Sequence, residues 1–128
     1  MSDKRKIIII DDDPDIVTFL TVLLQDNGYE TIEARDGAEG LDKTKAEKPD
    51  LILLDITMPE KSGVKFYREV RGDPELRSTP VVMVTGVMQE FKKFISTRKQ
   101  VPPPDGYIGK PVDKQELLET IAKLLDRN

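Results

Sequence analysis

The sequence predicts an α/β fold: a doubly wound parallel sheet with helices packed on both faces. Three observations lead there. Strand-like and helix-like patterns alternate five times along 128 residues. The runs Ile7–Ile10, Leu51–Leu54 and Val81–Val84 are short and unbroken by polar residues, as in strands buried on both faces. Each run ends in a polar group: Asp11-Asp12, Asp55 and Thr85, with Tyr107-Ile108 leading through Gly109 to Lys110.

The elements follow in order. After the first strand, Asp13-Pro14 reads as an N-cap followed by proline at the first helical position. Ile16, Leu20, Leu23 and Leu24 recur at helical spacing, and Asn27-Gly28 ends that helix through a left-handed residue. Thr31 to Ala34 is a weaker strand. Asp36-Gly37-Ala38-Glu39 has capping-box spacing and opens a second helix, which Lys48-Pro49 closes. Leu51–Leu54 is the third strand, and Met58 to Gly63 reads as a loop. A third helix is expected from about Val64 to Val70, broken by Gly72-Asp73-Pro74. Pro80 precedes the fourth strand, where its missing N–H is tolerated. Val87, Phe91, Phe94 and Ile95 mark a fourth helix. Pro102-Pro103-Pro104 excludes helix and favours an extended conformation. Tyr107-Ile108 is the fifth strand. Asp113 to Glu116 repeats the capping-box spacing, and Leu117, Ile121, Leu124 and Leu125 form the stripe of a last helix.

Right-handed crossovers and the (βα)5 pattern favour the flavodoxin-like strand order 2-1-3-4-5. In that order strands one and three flank the switch point where ligands bind. Asp11-Asp12 and Asp55 would meet there.

Composition narrows the chemistry. The length suits one domain over residues 1–128. There is no cysteine and no apolar run near ~20 residues, so a cytoplasmic protein without disulfides or a membrane span is expected. A net charge of −4 argues against direct nucleic-acid binding. With no histidine, the chain has no imidazole for a zinc site, a Ser-His pair or a phosphohistidine, so any phosphoryl group must come from another molecule.

Gathering Asp11, Asp12 and Asp55 is costly. Two unit charges ~4 Å apart repel by about 4 kcal/mol at an effective dielectric of 20. Lys110 offsets one charge, and a hard divalent ion such as Mg²⁺ would offset two more. A carboxylate so placed can act as a nucleophile toward phosphorus, with the Thr85 hydroxyl donating to a phosphoryl oxygen. Taken singly, these residues have simpler readings. Asp13 is a cap, Asp55 could be a turn residue, threonine is common in strands, Lys110 could be solvated, and Tyr107 could fill the core. The joint pattern, one polar group after each strand, points to a metal-assisted phosphate site.

The motifs Ile-Asp-Asp-Asp-Pro (10–14), Asp-Leu-Ile-Leu-Leu-Asp-Ile-Thr-Met-Pro (50–59), Val-Thr-Gly (84–86) and Tyr-Ile-Gly-Lys-Pro (107–111) occur in this order. On them the chain resembles the CheY-like receiver domain of two-component response regulators, over essentially its whole length. The resemblance implies that Asp55 accepts phosphate from a histidine kinase or phosphotransfer protein. It implies Mg²⁺ bound by Asp12, Asp55 and the Thr57 main-chain carbonyl, with Asp11 acting through water. It further implies Lys110 at the phosphoryl group, a cis Lys110-Pro111 bond and a Thr85/Tyr107 switch pair. Such a protein is not an enzyme beyond its own phosphorylation and dephosphorylation. A chain ending after the fifth helix would act through a separate output partner or be a fragment of a longer regulator, and a homodimer is kept open.

The stretch Lys99 to Gly106 departs from the family pattern, and Pro102–Pro104 is read first as a stiff spacer and second as a partner epitope. Lys92, Lys93, Arg98 and Lys99 form a basic face that is solvated or meets an acidic partner. Two other functions compete: a pseudo-receiver that binds partners without phosphorylation, and a flavin protein or aspartate phosphatase. Asp-Asp-Asp-Pro is unsuited to cradling a flavin phosphate, and Thr57 replaces the second acid of that phosphatase chemistry.

Overall fold

The computed structural model describes residues 4–55, 60–85 and 104–126, apart from the side chains of 60–64 and 85. Five strands, β1 (Lys6–Ile10), β2 (Glu30–Ala34), β3 (Leu51–Asp55), β4 (Val81–Thr85) and β5 (Gly106–Gly109), form one sheet in the order β2-β1-β3-β4-β5. Every neighbouring pair is parallel. Four helices are described: α1 (Pro14–Asp26), α2 (Gly37–Glu47), α3 (Glu60–Gly72) and α4 (Lys114–Leu125). The predicted fold class and strand order both hold. The expected helix around Val87–Ile95 and the residues Pro102 and Pro103 lie outside the described residues, whereas Pro104 is described and buried.

Period-2 alternation splits the sheet's side chains between two cores. Ile7, Ile9, Leu51, Leu53, Val82, Val84 and Ile108 pack with Val17, Leu20 and Leu24 of α1 and the α4 stripe. Ile8, Ile10, Ile52, Leu54, Val81 and Met83 pack with Phe66, Tyr67 and Val70 of α3. Both faces are apolar, which is why these strands read as continuous runs. Each such side chain contributes about 1.5–3 kcal/mol on burial.

The helix ends follow local chemistry. Asp13 caps α1 by accepting from the Asp15 N–H, with Pro14 opening the helix. Gly28, at φ +88°, takes the left-handed position after it. Asp36 and Asp113 accept from the N–H groups of Glu39 and Glu116. The reciprocal half of the first capping box is displaced by one residue: Glu39 accepts from Arg35 N–H at 2.6 Å rather than from Asp36. Lys48 ends α2 in the left-handed region at φ 48° rather than in the extended conformation usual before proline. On α2, Gly40 lies so near β1 that an added Cβ would stand 2.7 Å from Ile10 Cδ1. That close approach seats the helix on the residue preceding Asp11.

One boundary differs from expectation. α3 begins at Glu60 and runs to Gly72, so Lys61-Ser62-Gly63 is helix rather than loop. An interior glycine costs a helix only about 1 kcal/mol. The α3 face carrying Phe66, Tyr67 and Val70 is buried and offsets that cost.

Candidate functional site: an acidic cluster at the carboxyl edge of the sheet

Register places the site. Ile10 pairs with Leu54, so Asp11 and Asp55 emerge side by side from β1 and β3. Thr85 pairs with Gly109, which sets Lys110 one residue beyond the edge. One side-chain oxygen each from Asp11, Asp12 and Asp55 lies within 4.8 Å of the others. Asp11 and Asp55 are both 2 % exposed, whereas Asp12 is exposed. Lys110 Nζ stands 3.2 Å from Asp55 Oδ2 and 3.9 Å from Asp11 Oδ2. The Lys110-Pro111 bond is cis, as the resemblance implied.

Asp11 carries the electrostatic signature of the site. Its Oδ1 accepts from Asp13 N–H at 2.9 Å, while its Oδ2 is buried without a hydrogen-bond partner among the described residues. Burial, above all, pushes its carboxyl up to about 7. The Asp13 N–H opposes that rise, the adjacent Asp55 carboxylate adds to it, and Lys110 pulls it back. A buried carboxylate oxygen without a donor beside a second buried carboxylate is an arrangement that an added cation relieves. The donor set is all oxygen, which fits a hard ion such as Mg²⁺. A cleft of about 460 Å³ opens beside Asp11 and Asp12, bounded by Thr18, Arg35 and Lys43, and gives solvent a route to them.

The structure thus brings together Asp11, Asp12, Asp55 and Lys110. Thr85 ends β4 on the same edge, its side chain being outside the described residues, as is all of Thr57. Tyr107 is half-buried on the α3 side of the sheet, packed with the cluster that holds Tyr67 and Met83. Burial first, and the Tyr67 phenol second, push its hydroxyl above the usual tyrosine range.

The family described as response regulator receiver domain matches residues 7–122. The chain belongs to that family. It is 36% identical over 120 residues to the protein PilH of Pseudomonas aeruginosa, covering 94% of this chain and 97% of that one. It is 35% identical over 121 residues to the polar-differentiation response regulator DivK of Brucella anthropi, covering 94% and 96%. Among solved structures, a CheY-like receiver domain protein from Methanospirillum hungatei superposes with a TM-score of 0.84 at 31% identity, covering 98% and 96% of the two chains. Its relatives are two-component signalling proteins rather than classical enzymes. Among the described residues no helix is long and apolar enough to cross a membrane.

The opposite edge of the sheet holds residues to which sequence reasoning gave no role. Asp50 Oδ2 accepts from Lys6 N–H at 2.8 Å, and Asp50 N–H donates to Lys6 O at 2.8 Å. Asp105 repeats the pattern on β4, accepting from Val81 N–H at 2.8 Å and donating to Val81 O at 2.9 Å. Each carboxylate also faces an arginine, Arg5 at 4.0 Å and Arg71 at 2.7 Å. The available signal was an aspartate at the start of both β3 and β5, which also reads as an ordinary turn residue.

Proposed function

We propose that this receiver is a phosphoacceptor switch in which Asp55 takes a phosphoryl group from a histidine kinase or histidine phosphotransfer protein. The observation that carries the reading is the buried Asp55 carboxylate, 3.2 Å from Lys110 Nζ and beside the donorless oxygen of Asp11. Asp55 Oδ attacks phosphorus, the bond to the donor's imidazole nitrogen breaks, and an acyl phosphate forms on Asp55. Lys110 neutralises a phosphoryl oxygen as charge builds there. Asp12 and Asp55, with the Thr57 carbonyl and Asp11 through water, would hold Mg²⁺. When bound, that ion supplies positive charge against the phosphoryl oxygens. Thr85 and Tyr107 form the switch pair, the hydroxyl drawn to the phosphate and the ring turning inward, which biases a two-state partner surface. Residues 1–128 act as one receiver unit in the cytoplasm, without direct nucleic-acid contact, and signal to an output protein.

Incubation with acetyl phosphate and Mg²⁺ tests the assignment. Acid-stable, base-labile label is expected on the wild-type protein and absent from Asp55→Asn. Undiminished labelling of that variant contradicts Asp55 as the acceptor. A wild-type protein that takes no label from acetyl phosphate or from any kinase is a pseudo-receiver.

A further inference from the structure

Away from the acidic site, one buried polar assembly links several elements through a single guanidinium. Arg71, in the last turn of α3, is 8% exposed. Its Nη1 donates to the carbonyls of Arg77 and Thr79, both at 2.9 Å, which ties down the segment between α3 and β4. Its Nη2 meets Asp105 Oδ2 at 2.7 Å, immediately before β5. Its Nε donates to the Tyr67 hydroxyl at 3.3 Å, and its guanidinium carbon lies 5.1 Å from the Tyr67 ring centroid. Tyr67 itself is 1% exposed, so its ring has one place to be.

Tyr107 is built onto this assembly from two sides. It lies two residues beyond Asp105, which is locked to Val81 by one main-chain bond and one from the Val81 N–H to the Asp105 carboxylate, and it pairs with Met83 in the ladder. Its ring packs against the cluster containing Tyr67. The Tyr67 phenol is also among the groups that hold the Tyr107 hydroxyl protonated, so the two rings sense each other. The strand beneath Tyr107 is therefore anchored at its start.

We propose that Arg71 is a positioning residue for Tyr107: through Asp105 it fixes the start of β5, and through the Tyr67 hydroxyl it fixes the wall against which the Tyr107 ring rests. This rests on the reading of Tyr107 as the switch aromatic and deepens it. The resting ratio of inward to outward ring is set from α3, whose Tyr67 shares a cluster with Met83 of β4 and Tyr107, and not only from the phosphorylation site. Loss of the Tyr67 hydroxyl loosens the wall while keeping the aromatic ring and its packing.

The test uses the full chain labelled with 3-fluorotyrosine. Its three tyrosines, Tyr29, Tyr67 and Tyr107, give three ¹⁹F resonances. Tyr107→Phe assigns one of them, and Tyr29, packed in the core on the opposite face, is an internal control. Spectra of wild type, Tyr67→Phe and Arg71→Lys are recorded without phosphodonor, together with the H₂O/D₂O isotope shift, which reports solvent contact, and the melting temperature. The expected result is a Tyr107 resonance displaced toward the solvent-exposed position in both variants, with the exposed population raised about two- to fivefold. Tyr29 is expected to stay in place. An unmoved Tyr107 resonance and isotope shift in folded Tyr67→Phe overturns the proposal, whatever happens to the melting temperature, because Arg71 would then serve stability alone. If Arg71→Lys does not fold, Tyr67→Phe, which loses one oxygen, decides the matter. Adding acetyl phosphate to the wild type separates the two claims. A Tyr107 resonance indifferent to label on Asp55 overturns the switch reading, and the donor-free comparison still reports the coupling.

Discussion

Aspartates stand at both edges of this sheet, and the two sets live under opposite conditions. At the amino edge, Asp50 and Asp105 each accept a main-chain N–H at 2.8 Å and face an arginine. At the carboxyl edge, one oxygen each of Asp11, Asp12 and Asp55 lies within 4.8 Å of the others, and Asp11 Oδ2 is buried without a donor among the described residues. The residue type is the same and the fold is the same. The first set is satisfied by the protein itself and stabilises it. Among the described residues the second has only the Lys110 ammonium within ion-pair distance, and the proposed cation and phosphoryl chemistry would draw on that shortage of positive charge. A carboxylate's partners, more than its position after or before a strand, separate a structural aspartate from a functional one.

The contrast has a pH signature. The raised Asp11 carboxyl means that the folded protein holds a proton that the unfolded chain has already released. Stability of the metal-free protein is therefore expected to fall as pH rises from about 4 to about 7, by on the order of 4 kcal/mol from this group. Denaturant melts across that range, compared with Asp11→Asn, isolate the contribution. An equal slope in the two proteins removes it.

At the amino edge the expected change is a loss. Asp105→Ala strips a donor-rich, nearly buried guanidinium of its counter-ion and frees the Val81 N–H, with an expected cost of about 2–4 kcal/mol in urea melts. Asp11→Asn moves the other way. The amide oxygen can still accept from Asp13 N–H, and the buried charge is gone, so the metal-free variant should gain about 1–2 kcal/mol at pH 8 while losing phosphorylation. The smallest effect is expected at Asp50→Ala, about 1 kcal/mol, because its arginine is 4.0 Å away and half in solvent. Should Asp50→Ala prove as damaging as Asp105→Ala, the arginine is not what distinguishes the two clamps.

Much of this was legible in the sequence because the signals are local. Four apolar runs with polar ends, three Asp caps and the glycine at 28 each act within a few residues, and parallel pairing then aligns the run ends automatically. The start of α3 was misplaced because Ser62-Gly63 has loop composition, while its helical state is supported by the packing of Phe66, Tyr67 and Val70 further along. The amino-edge clamps escaped notice for a different reason. Lys6 and Asp50 are 44 positions apart, Val81 and Asp105 are 24 apart, and Arg71 reaches Asp105 across 34. In a linear reading Arg71 is one basic residue in a helix's last turn, where it suits the macrodipole and needs no other explanation.

The central claim is that the carboxyl-edge cluster is a cation site, and a magnesium titration of thermal stability tests it most directly. An ion that binds only the folded protein adds about 2.7 kcal/mol at a hundred times its dissociation constant. The melting temperature of the wild-type protein is expected to climb with Mg²⁺ and that of Asp11→Asn/Asp12→Asn to stay level. A wild-type melt that ignores Mg²⁺ up to tens of millimolar, or a double variant that follows it equally, contradicts the account.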